Sequence, residues 1–106
     1  MNREITVEPW TYRVSPFPAG TDQGRFWCAW IVAIGDGRWH VLEHYNSTPQ
    51  SFLTVNGEWT MDREASICFR DFDVAKRMAA EAIPEITVNG RTYDEAVAMY
   101  ERRQGL

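Results

Sequence analysis

The chain has 106 residues, a mass of 12.3 kDa and a formal net charge of -4. That length is one domain, and 44% hydrophobic with 25% charged residues excludes a disordered chain. The acid excess argues against a duplex-binding domain, whose affinity rests on Lys and Arg neutralising phosphates.

The unusual number is 13% aromatic, with five Trp, four Tyr and five Phe. Aromatic side chains bury large areas and let a small chain close a core. They also mark binding surfaces. No apolar run approaches the ~18 residues of a membrane helix, and the first residues, Met1-Asn2-Arg3-Glu4, lack the apolar stretch of a signal peptide. Cys28 and Cys68 then read as reduced thiols of a cytoplasmic protein.

The first predicted strand covers residues 4–14. Ile5 and Val7 share one parity, whereas Trp10, Tyr12 and Val14 have the other. Such a switch needs one extra residue, and Pro9 lies at it. An edge strand with a bulge near Glu8-Pro9 is expected. Residues 15–24 form a loop with two Pro and two Gly. The second strand, 25–34, is apolar on both faces and therefore central. Phe26 and Trp30 are expected to fill the core beneath a helix, with Trp27 and Ile31 on the opposite face. Gly35-Asp36-Gly37 signals a hairpin into a third strand, 38–45. This strand places Trp39 and Val41 on one side and Leu42 on the other.

Residues 51–61 read as a small hairpin around Asn56-Gly57, and 66–70 as a last short strand. The pattern then changes. Asp71 is a good N-cap, and Phe72, Ala75, Met78, Ala79, Ala82 and Ile83 recur at helical spacing, predicting a helix over 72–83 that Pro84 stops. Thr92-Tyr93-Asp94-Glu95 has the form of a capping box and opens a second helix, 93–103. Strands followed by helices predict an α+β fold: a twisted antiparallel sheet of three to four main strands with both helices packed on it.

Candidate chemistry is sparse. His40 and His44 are the two histidines. On a strand, four residues span about 13 Å, so the pair cannot hold one ion together. Cys28 and Cys68 add thiols without a CxxC pair, so no metal and no cofactor is expected. A Cys28–His nucleophile is disfavoured by the apolar strand around the thiol. No P-loop, GxGxxG or HExxH is present. Asp71 and Asp73 read as a helix cap and first turn rather than a catalytic carboxylate pair.

The aromatic residues carry the functional expectation. Two short helices can scarcely cover both faces of a sheet. Trp10, Trp27, Trp39 and Trp59, with Arg25 and Arg38, are therefore the candidate partner-binding residues. The expected function is a small non-catalytic module that binds a protein partner, or a second copy of itself, through an aromatic and acidic surface. Acidic residues of the helices (Glu81, Glu85, Asp94, Glu95) could contribute by competing for a basic, nucleic-acid-binding face of that partner. Ten of the eleven basic residues are Arg, a bias that suits a GC-rich genome and an accessory or phage-type mobile-element protein. The alternatives are a sheet that stacks single-stranded nucleic acid, with Arg25, Arg38, Trp27 and Trp39 as contacts, and a small enzyme using the 16–24 loop as a pocket wall.

Overall fold

The computed structural model describes residues 10–43, 51–54, 56–62 and 68–105. Among them the chain is an antiparallel sheet of five strands with three helices, the α+β architecture expected. The elements in order are β1 (Thr11–Val14), α1 (Asp22–Phe26), β2 (Ala29–Gly35), β3 (Arg38–Glu43), β4 (Ser51–Leu53), β5 (Trp59–Thr60), α2 (Phe72–Ala82) and α3 (Tyr93–Arg103). A 3-10 turn, Ile83–Glu85, follows α2. The strands form a meander in sequence order.

Turn chemistry places the strands. Asp36 and Gly37 both adopt positive φ, 54° and 67°, the conformation that a tight hairpin demands, and they join β2 to β3. Around Asn56-Gly57, the Thr54 N–H donates to the Glu58 carbonyl and the Glu58 N–H donates to Thr54 Oγ1, closing the second hairpin. The helices are capped as their sequences require. The Asp71 carboxylate accepts the N–H groups of Asp73 and Val74. Thr92 and Glu95 complete the reciprocal capping box.

Two strand expectations need correction. Residues 25–28 are not strand. Thr21 Oγ1 accepts the Gly24 N–H and starts α1, so Arg25 and Phe26 are helical and β2 begins only at Ala29. A threonine cap inside the loop outweighed the apolar run that follows it. The facing of β2 is also the reverse of the expectation. Ala29 and Ile31 are fully buried on the helix side, whereas Trp30 is half-buried on the other. The cause is steric. Helix α2 presents Ala75, Ala79 and Ala82, all buried. A helix surface this smooth approaches closely and packs against small and β-branched residues, not against Trp30. Of the predicted last strand, Phe69 forms a single bridge to Trp39. The first strand's residues 4–9 with the Glu8-Pro9 bulge, His44 and Tyr45, and residues 66–67 lie outside the described residues.

The core lies between the sheet and α2. It joins Ile31, Val41 and Leu53 from the strands to Phe69, the three alanines, Ile83 and Ile86. Phe17 anchors α3 by packing its ring on Tyr93 and Tyr100, with centroids 5.9 and 5.4 Å away. Among the described residues no helix is long and apolar enough to cross a membrane.

Candidate binding face

The expected aromatic patch is divided by the fold. Trp27, at the C-terminal end of α1, is 5% exposed, and its indole Nε1 donates to the Ile86 carbonyl at 2.9 Å. Trp59 Nε1 donates to the Ala82 carbonyl at 3.1 Å. Both acceptors lie at or just beyond the end of α2, where helix carbonyls lose their intrahelical partners. A tryptophan serves there because it joins a large apolar body to one N–H donor. Trp39 makes edge contacts with Tyr12 and Phe72, at centroid distances of 5.8 and 5.1 Å. These three tryptophans therefore hold the helical layer onto the sheet. Trp10 alone of the four is well exposed, at 56%. Arg25 is exposed and its guanidinium lies 5.5 Å from the Phe26 ring centroid. Arg38 pairs with Asp36 at 3.7 Å across the hairpin turn. Its Nε is buried and meets no acceptor among the described residues.

A different aromatic surface emerges from the strand register. Side chains alternate between faces, and directly paired residues share a face. One cross-strand row runs Arg13, Trp30, Leu42, Phe52, Thr60 through all five strands. The adjacent row holds Thr11, Val32 and His40. At ~4.8 Å between strands the longer row spans about 19 Å. None of these residues belongs to the core cluster beneath the helices. Helix α2 contacts β1, β2 and β3 through the other face, and α1 borders this side only at its Arg13–Trp30 end. Leu42 is buried, and Trp30, Val32 and Phe52 are half-buried.

The charge on this face is also distinct. None of the described strand positions in these rows is Asp or Glu; the strand acid Glu43 has the opposite parity. Exposed acids instead line the helical layer, including Glu81, Glu85, Asp94 and Glu95. These four acids lie on the helical layer, away from the cross-strand row. Glu95 also has a local task in the α3 cap.

At one end of the face lies a cavity of about 380 Å³, lined by Arg13, Thr21, Gly24, Arg25, Cys28 and Trp30 among others. The Arg13 guanidinium donates to the carbonyls of Phe17 and Gly24 and so ties the 16–24 loop to β1. Glycine is required at position 24. A Cβ there would lie 2.2 Å from the Pro18 carbonyl oxygen and 2.6 Å from the Arg13 guanidinium. Cys28 is 2% exposed. Burial pushes its thiol up, against the pull of the Arg13 charge and a hydrogen bond with the Trp30 side chain, while Glu43 adds to the rise. A thiol held protonated in this way is a poor nucleophile.

Sequence reasoning missed one pairing. His40 Nε2 lies 3.5 Å from Cys68 Sγ, and the His40 ring meets Phe52 edge-on at 5.7 Å. The Trp39–Phe69 bridge sets this register and makes His40 and Cys68 the next cross-strand pair. The two residues are 28 apart in sequence, and the signal that could have joined them was the shared polar-apolar alternation of 39–40 and 68–69. Among the described residues no three His, Cys, Asp or Glu side chains gather as a metal ion would need. No protein-family model matches the chain, and neither the curated proteins nor the solved structures contain a match to it.

Proposed function

We propose that the chain is a small non-catalytic binding module that engages a protein partner through the sheet face opposite α2. The observation that carries this reading is the cross-strand row Arg13, Trp30, Leu42, Phe52, Thr60, which lies opposite the face packed by α2. Contiguous apolar surface of this kind favours association, and half-buried aromatics are typical anchors of protein interfaces. In this reading Trp30, Val32 and Phe52 replace Trp27, Trp39 and Trp59 as the contact residues.

The charge favours a protein over a nucleic acid. The face offers Arg13 and Arg38, and the Arg13 guanidinium is already bound to two backbone carbonyls. Phosphate binding needs several free cations, and the whole chain carries -4. The cavity beside Cys28 could serve a small enzyme, but its thiol is pushed up by burial.

Position-specific crosslinking tests the reading. A photo-reactive side chain replacing Phe52 should capture one protein, or a second copy of the chain, in the cells that make it. The same group replacing Arg77 on α2 should not. Val32→Asp should abolish the capture while leaving the circular dichroism spectrum intact. Equal capture from both positions overturns the proposal, as does tight binding of a labelled single-stranded oligonucleotide that weakens steeply with salt.

A further inference from the structure

We infer that Cys68, paired with His40, is a reactive thiol that forms mixed disulfides with small-molecule disulfides. Three observations meet here. Cys68 is exposed, so a small disulfide can reach it. His40 Nε2 lies 3.5 Å from Sγ, within reach of the thiol proton. The only other cysteine, Cys28, is buried and its thiol is pushed up, so the chain carries its own unreactive reference. The pairing is built into the fold. The backbones of Trp39 and Phe69 exchange two hydrogen bonds of 2.8 Å. The next pair along, His40 and Cys68, is the closely spaced kind in which side chains approach most nearly. Phe52 packs against the imidazole edge-on and limits its rotation.

The chemistry follows the logic of a nucleophile beside a base. In the tautomer that leaves Nε2 without hydrogen, His40 accepts the Cys68 proton as Sγ attacks one sulfur of the small disulfide. A new S–S bond forms to Cys68 while the original S–S bond breaks. The outer sulfur departs with the electron pair and receives the proton from His40. Cys68 is oxidised to the mixed disulfide, and the small disulfide, which is the oxidant, is reduced to one thiol. The adduct would project from the sheet face opposite α2, beside Phe52. The proposal concerns the thiol itself and stands whether or not that face binds a partner.

Glutathione disulfide is the probe, used on the intact chain with the modified residue assigned by peptide mapping. The wild type should gain one glutathione, at Cys68, with Cys28 unmodified while the chain is folded. His40→Gln should slow the reaction about tenfold or more, the loss expected on removing a positioned base. Cys68→Ser should leave the folded chain without adduct. A second measurement does not depend on any variant: Cys68 should react several-fold faster in the folded chain than in the same chain unfolded in urea. Modification of Cys28 in the folded chain overturns the proposal. So does an unchanged rate in His40→Gln, or a folded Cys68 no faster than the unfolded one.

Discussion

The two faces of the sheet are both apolar, yet they are finished differently. On the covered face, Ile31, Val41 and Leu53 are sealed beneath the alanines of α2. On the other, Trp30, Val32 and Phe52 keep part of their surface in water. Strand β2 supplies both sets from consecutive residues, so hydrophobicity alone does not choose the buried side. Shape does. A helix with an alanine stripe approaches the sheet closely, and small or β-branched strand residues fit beneath it. The bulky residues are relegated to the side opposite α2, where Trp30, Val32 and Phe52 stay half-exposed.

The sharpest test of this difference compares neighbours in one strand. Ile31→Ala opens a cavity under α2 and should lower the unfolding free energy by about 3 kcal/mol, within the range for buried Ile to Ala. Val32→Ala, one residue on and facing the opposite way, should cost under about 1 kcal/mol. Denaturant unfolding of both variants provides the comparison. Similar losses would mean that the two faces are equally closed and would remove the basis for a binding face.

Helix starts, stops and turns were legible because each is local. Asp71, the Thr92–Glu95 box, Pro84 and the Asp36-Gly37 turn each act within a few residues. The facing of β2 was not legible. Its two sides have similar hydrophobicity, and the deciding partner, the alanine stripe of α2, lies some forty residues downstream. Helix α1 was hidden for a related reason. Its Thr21 cap stands in a stretch rich in Pro and Gly, and the apolar residues after it resemble a strand. The tryptophans were the hardest to read, because Trp27 and Trp59 owe their places to carbonyls at the end of α2, Ile86 and Ala82. The His40–Cys68 pair depends in the same way on a register between distant segments. Local chemistry predicts elements, whereas a site assembled across strands waits on the pairing.

A second test separates tryptophans that hold the fold together from those that face solvent. Trp27→Phe keeps most of the apolar bulk but leaves the Ile86 carbonyl without its donor. It should cost about 1–3 kcal/mol, the range for stranding a buried polar group. Trp30→Phe should cost less, because one side of that residue is open. Iodide quenching of tryptophan fluorescence should show the converse. Removing Trp27 should leave the quenched fraction of the emission as high or higher, while removing Trp10 or Trp30 should reduce it. A drop in quenching on losing Trp27 would place its indole in water and contradict its position in the core.

The smallest expected effect probes where the covered side ends. Glu43, at the end of β3, shares the parity of Ala29 and Ser51, its paired residues. Burial raises its carboxyl above the ordinary carboxylate value. For a group raised in the folded state, the favourable contribution is complete below the unfolded pKa, about 4.3 for Glu. It is lost as pH rises through the higher folded value. At neutral pH the fold therefore carries a partly desolvated carboxylate. Glu43→Gln keeps the shape and removes the charge. Its melting temperature should exceed that of the wild type by about 1–3 °C at pH 8, and the difference should vanish towards pH 3, where both side chains are neutral. Because more than one carboxylate titrates in this range, the quantity to follow is the difference between the two proteins at each pH. A wild type more stable than the variant at pH 8 would show that the carboxylate gains more from its surroundings than it loses to burial. That would end the dry face at Val41, the preceding β3 residue on the same side.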